Sequence, residues 1–346
     1  MKHLPKFSLL VLLAALVFSA TFAQIDARAA DEKTSETAHG VKDWRKKLGT
    51  FRVGIVGGSR PILQIRRAQP FRKALADALG MRVELFAARD QKALIDAHRN
   101  GRVEYAVYSA TAYGLAWSLC KCVEPLAVPA TADGATGFRS ILLAKKKHAS
   151  SLAELRDKTV VLPGKQSFSG HLLPKHLLSN SGTAFEELGW KLDYQPSAQT
   201  GLKTFLGKRA AAYFGWQPTI ETVSETQKSN EKSIGQGTLA TLSKKWRERL
   251  HVVWQSDVVP HGPHAVRRDV DPRAKAILKK FLFELLQDNP AALGAIAPRY
   301  AGGFHPVEHR SYRLVLDLLE GLSSRKTTDN NIRNAASDQK RDNQDS

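Results

Sequence analysis

The sequence predicts an α/β protein of two lobes. Short β-branched runs alternate with helical patterns of about ten residues, as parallel βαβ units do. The alternation runs from Phe51 to Leu119 and restarts after Ser151. With 346 residues, 42% hydrophobic and 25% charged, the chain is long enough for two cores and too apolar for wholesale disorder.

In the first half, Phe51–Val56 reads as a strand that ends in Gly57-Gly58-Ser59. Pro70–Leu79 has helical spacing and stops at Gly80, a residue suited to a helix C-cap. Arg82–Phe86 is a second strand, Gln91–Arg99 a helix closed by Asn100-Gly101, Val103–Tyr108 a third strand and Ala110–Leu119 a third helix. Val123–Ala130 and Ser140–Ala144 are strand-like. In the second half, Ser151–Leu155 carries a Ser-x-x-Glu capping box. Thr159–Leu162 is a strand, Ser169–Leu178 a helix, Gly201–Leu206 a helix, and Ala210–Phe214 and His251–Gln255 strands. Asp271–Leu286 is a strongly amphipathic helix. No internal repeat of 20–50 residues stands out.

The termini read differently. Lys2, His3 and Lys6 precede the apolar run Phe7–Ala23, and Ala27-Arg28-Ala29 offers a small-residue cleavage site, with Thr21-Phe22-Ala23 a second choice. An exported chain with a signal peptide over 1–30 is expected, followed by a polar linker over 31–49. No cysteine follows the apolar run to carry a lipid. Residues 323–346 are nearly devoid of apolar side chains and read as a disordered tail.

The formal charge of +19 favours anionic partners without naming them. Basic runs such as Lys145–Lys147 and Lys244-Lys245 read as solvated faces, no nucleic-acid module is visible, and no nucleic-acid partner is expected. Two cysteines make neither a disulfide framework nor a four-cysteine zinc site. Cys120-Lys121-Cys122 is too tight for a thioredoxin-type motif; the pair either packs behind the third helix or holds a soft metalloid. His261, His264, His305 and His309 lack metal-ligand spacing. Ser-Phe-Ser-Gly-His at 167–171 is not the Gly-x-Ser-x-Gly elbow of hydrolases, so no enzyme and no cofactor is expected.

The same stretch has another use. Gly164–His171 joins a strand to a helix, where hydroxyls and glycine leave backbone N–H groups aimed at one spot on the positive end of the helix dipole. An ordinary N-cap would use the same residues. Two further polar loops follow strands: Gly57-Gly58-Ser59-Arg60 and Tyr108-Ser109-Ala110-Thr111. Ligands of open α/β sheets sit at the carboxyl ends of strands, so three such loops make one candidate cleft. The glycine loop does not fit the dinucleotide fingerprint.

Several segments in order carry a family resemblance. They are Gly101–Ser109, Ala132–Ser140, Ser167–Pro174 and Ser256–Pro263. Over about Phe51–Leu322 the chain resembles the phosphate/phosphite/phosphonate-binding proteins of ABC importers. The resemblance implies a type II periplasmic-binding fold with two hinge crossovers, near Phe138–Leu143 and Val253–Pro260. Residues 50–140 and 256–322 would form one lobe and 141–255 the other. It implies a monomer in the periplasm that closes on phosphate, phosphite or a simple phosphonate and serves an ABC permease. Ser167, Ser169, Gly170 and His171 would hold the oxygens, with Tyr108 and Ser109 opposite; the strand-end loops add Ser59 and Thr111, and Phe168 completes the candidate ligand-binding set. Phe168 stands where the family often has threonine, so one hydroxyl is missing. The family's His, Glu and Asp for a substrate amine have no match near Ala198-Gln199 or Gly207–Ala211, which disfavours an aminoalkyl phosphonate. Some members are sensors for a membrane kinase, including arsenite-binding ones, and Cys120 and Cys122 would serve that alternative.

Overall fold

The computed structural model describes residues 44–180, 182, 185–207, 209–219 and 237–323. The expected signal peptide, most of the linker and the tail beyond residue 323 lie outside them. A short helix over 44–48 comes before the sheets in the chain, and β1 opens at Thr50.

The first sheet takes its strands from both ends of the chain. β1 (Thr50–Val56), β2 (Arg82–Ala88), β3 (Tyr105–Val107) and β4 (Val123–Pro129) come first; β11 (His264–Arg267) and β12 (Phe304–His305) return to it, in the order β12-β4-β11-β3-β1-β2. β1 and β3 run parallel, Val53 beside Tyr105, while β11 lies antiparallel between β3 and β4. The connections are α1 (Pro61–Arg67), α2 (Gln69–Leu79), α3 (Gln91–Arg99) and α4 (Ala110–Cys120). Gly80 caps α2 in the left-handed conformation at φ 61°, as its position implies. Asp90 and Ser109 cap α3 and α4 by accepting the N–H of Ala93 and Ala112. At the foot of the sheet the buried Glu104 carboxylate accepts the Arg52 backbone N–H at 2.7 Å and its Nε at 3.1 Å, which ties β1 to the start of β3.

The second sheet is built from β5 (Gly137–Lys145), β6 (Thr159–Pro163), β7 (Lys191–Gln195), β8 (Ala210–Thr219), β9 (Leu250–Gln255) and β10 (Val259–Pro260), ordered β10-β5-β8-β6-β7, with β9 also paired to β5. β6 lies parallel to β7 and β8; β5 is antiparallel to β8. α5 (Leu173–Asn180), α6 (Ala198–Leu206) and the short α7 (Lys244–Arg247) accompany it. The chain therefore crosses between sheets twice, after Pro129 and after Pro260. The crossing segments are bonded together: Ser140 N–H donates to Ser256 Oγ at 3.0 Å, and Ser256 N–H to Ser140 O at 2.9 Å. This is the two-lobed type II arrangement.

After the second crossing come α8 (Pro272–Asp288), α9 (Pro290–Ile296) and a final helix, α10, over 313–323. α8 buries Ala274, Leu278, Leu282 and Leu285, one stripe at helical spacing. One apolar cluster joins Tyr108, Ala110, Tyr113 and Ala116 of the first lobe to Leu173 of α5 and to Tyr312 and Val315 near the C-terminus. Two others fill the second lobe on either side of its sheet, around Leu142, Val160 and Phe214 and around Leu143, Val161 and Phe205.

Candidate functional site

The carboxyl ends of β1 and β3 lie side by side because the strands are parallel neighbours. Their loops carry Ser59, Ser109 and Thr111 at one edge of the sheet, Ser59 and Ser109 exposed and Thr111 half-buried. Ser109 Oγ accepts Ala112 N–H at 3.2 Å and lies 3.2 Å from Thr111 Oγ1, so it caps α4 and pairs with the Thr111 hydroxyl. The return crossover passes close behind: a Cβ on Gly262 would stand 2.6 Å from Ser109 Cα, which only glycine allows.

In the second lobe, β6 ends at Pro163 and the chain turns at Gly164, φ 67°. Residues Phe168–Leu172 form one turn of π-helix before α5, where the sequence pattern suggests a plain α-helix from Ser169. Ser167 caps that turn, its Oγ accepting Gly170 N–H at 3.1 Å, while its carbonyl accepts His171 N–H and Leu172 N–H. The wider turn brings two N–H groups to one carbonyl and leaves those of Phe168 and Ser169 at the open end without a bond among the described residues. Ser169 Oγ likewise has no partner among them, and Ser140 Oγ pins the turn by donating to Ser169 O. Gly170 is required for packing: a Cβ there would lie 2.5 Å from Pro163 Cδ and 2.9 Å from Ser167 Oγ. Together these groups gather two main-chain N–H donors and the hydroxyls of Ser167 and Ser169 at one helix start, with Lys165 in the same loop and Arg139 at the neighbouring crossover.

Two of the expected ligand residues serve elsewhere. Tyr108 is buried in the first lobe with its hydroxyl 2.9 Å from His98 Nδ1. His98 Nε2 lies 3.2 Å from Glu104 O, an atom that only accepts, so Nε2 carries the hydrogen and Nδ1 accepts from Tyr108. Burial holds His98 down to about 4 and raises Tyr108. The Tyr108 hydroxyl is thus spent on the core. His171 is also engaged: Nδ1 donates to Lys165 O at 2.8 Å and Nε2 accepts from Tyr194 Oη at 3.2 Å. Burial lowers its pKa, in keeping with a neutral, structural imidazole. Its ring borders a different space, a cavity of about 200 Å³ with Leu172, Lys175 and His176 on one side and Leu318 and Leu322 of α10 on the other.

Cys120 and Cys122 form a disulfide at the end of α4, with no free cysteine left. A soft metalloid binds thiolate, so in this state the pair offers it no ligand. Among the described residues no group of three or more His, Cys, Asp or Glu side chains is placed to hold a metal ion, and no helix is long and apolar enough to cross a membrane.

Sequence reading missed two rings beside the turn. Phe138 on β5 and Trp216 on β8 sit at the crossover, and both are half-buried. Their signal was available: Phe138 belongs to the first crossover segment, and Trp216 lies two residues beyond the strand end assigned at Phe214.

The two-sheet fold with two crossovers is that of two-lobed periplasmic-binding proteins of type II. Residues 61–312 match the family described as ABC transporter, phosphonate, periplasmic substrate-binding protein, and the chain belongs to that family. Members are substrate-binding components of transporters rather than enzymes. In fold, the chain is similar to XAC2383 from Xanthomonas citri bound to chloride, with 19% identity, TM-score 0.53 and coverage of 81% of this chain and 99% of that one. The same protein bound to ATP matches with 18% identity, TM-score 0.52 and coverage of 80% and 98%. Transferrin 1 from Manduca sexta matches with 12% identity, TM-score 0.53 and coverage of 80% and 47%.

Proposed function

We propose that this chain is exported to the periplasm and captures a small phosphorus oxyanion, namely phosphate, phosphite or a simple phosphonate, between its two lobes for an ABC permease. The observation that carries the reading is the capped π-turn after β6, which gathers the N–H groups of Phe168 and Ser169 and the hydroxyls of Ser167 and Ser169 at one helix start. Ser59, Ser109 and Thr111 close the cradle from the first lobe as the crossovers at Ser140 and Ser256 flex. The anion is held mainly by main-chain dipoles and hydroxyls.

The test is a thermal-shift panel with phosphate, phosphite, methylphosphonate, aminoethylphosphonate, sulfate and arsenite. A ligand at a hundred times its Kd adds about 2.7 kcal/mol, worth roughly 4–5 °C for a chain of this size. A shift with a phosphorus oxyanion and none with aminoethylphosphonate supports the proposal. A shift with arsenite alone moves the site to Cys120 and Cys122, and no shift with any of the six overturns the anion assignment.

A further inference from the structure

The anion turn is set against a wall of aromatic rings. In the β5–β8 ladder Phe138 faces Pro218 and Ser140 faces Trp216. Cross-strand partners share a face and alternate residues repeat it, so Phe138, Ser140 and Trp216 are on the same face. That face is the one covered by the turn, because Ser140 Oγ donates to Ser169 O. Phe168, on the turn itself, meets Phe138 edge-to-face with ring centroids 6.2 Å apart, and Phe138 meets Trp216 in the same way at 6.1 Å. All three rings are half-buried, and Trp216 Nε1 makes no hydrogen bond among the described residues.

Phe138 and Phe168 pack part of their surface on the apolar cluster around Tyr108, Leu173 and Val259, and a bare inorganic anion would satisfy the hydroxyls and leave the remaining exposed part of the rings against water. A carbon substituent on phosphorus would lie along them, burying apolar surface and meeting the ring edges. We propose that the ligand of this cleft is a phosphonate bearing an apolar or aromatic substituent, seated on Phe138, Phe168 and Trp216. The inference rests on the anion-binding function above and names the class of anion within it. Phe168 is the selector: its main chain lies at the oxygens, and its ring, 6.2 Å from that of Phe138, meets the substituent.

Calorimetric titration of the full chain with inorganic phosphate, methylphosphonate and phenylphosphonate tests this. Phenylphosphonate is expected to bind at least tenfold tighter than phosphate, with methylphosphonate between them, and to quench tryptophan fluorescence in the parent protein but far less in Trp216→Phe. Phe168→Thr is expected to reduce the phenylphosphonate-to-phosphate preference at least fivefold; should that variant fail to fold, Phe138→Leu serves for the same ratio. Phosphate binding as tightly as phenylphosphonate, or an unchanged ratio in the folded variants, overturns the proposal and leaves anion binding standing. Failure of all three compounds to bind overturns both.

Discussion

Mild acid should weaken this fold well before its carboxylates protonate. His98 and His264 are buried, and burial holds them at about 4 and about 3 against an ordinary 6.5. Their ring nitrogens are occupied: His98 by Glu104 O and Tyr108, His264 by the Tyr105 hydroxyl. A histidine depressed in the folded state contributes its full stability above pH 6.5 and loses it as pH falls toward the folded value, because only the unfolded chain takes up the proton. Each pH unit below 6.5 costs about 1.4 kcal/mol per histidine, so at pH 5 each has cost about 2 kcal/mol and the pair about 4 kcal/mol. His171, His261 and His309 are lowered by burial as well and act with the same sign. Asp271, held at about 2 by Arg273, gives up its contribution only below about pH 4, outside this window. Urea unfolding at pH 7.5 and pH 5.0 measures the difference, and His98→Gln should remove about 2 kcal/mol of it. A total loss under about 1 kcal/mol, or the same pH dependence in His98→Gln, would refute the reasoning.

Three further outcomes follow from the site. Ser169→Ala should weaken phosphonate binding by about 1.5–3 kcal/mol, the worth of a hydrogen bond to a charged group, without changing the melting temperature; Ser167→Ala should lower stability as well, by about 1 kcal/mol for the lost cap, and calorimetry beside thermal melting separates the two. Gly170→Ala drives a methyl into the rigid Pro163 ring and should cost about 1–3 kcal/mol in urea unfolding together with a loss of binding; an unperturbed variant would mean that the turn is laxer than described. Replacing Cys120 and Cys122 by serine should cost no more than about 2 kcal/mol, because the closed loop is so short, and should leave phosphonate affinity unchanged; lost affinity in titration would tie the disulfide to the cleft.

The fold was legible where burial leaves a period in the sequence. Leu278, Leu282 and Leu285 mark α8, and the run Val160–Leu162 marks β6, because each packs one face or both against a core. α1 left no such trace: none of its residues is buried, so there is no apolar face to read. β7 was missed because its five residues are all at most half-buried and two of them are charged. The cap at Ser167 and the close packing at Gly170 were legible through the chemistry of helix starts, while the ligand role of Ser167, Ser169 and Gly170 is part of the proposal. Tyr108 and His171, expected at the ligand, have their polar atoms bonded within the protein, because the sequence shows which residues neighbour a loop but not which way a ring turns. His98 lies ten positions before Tyr108 and Tyr194 twenty-three after His171, and those partners decide the orientation. Phe138 and Trp216 meet only through the pairing of β5 with β8, a register that no local pattern announces.

The central claim is that a phosphorus oxyanion sits in the π-turn after β6. A crystal structure grown with methylphosphonate tests it most directly. The account predicts phosphonate oxygens at ordinary hydrogen-bond distance, about 2.7–3.0 Å, from Ser169 Oγ and from the N–H groups of Phe168 and Ser169, with the methyl group toward Phe138. A phosphonate found instead beside Lys175 and His176 in the cavity under α10, or bonded to the His171 ring, would contradict it.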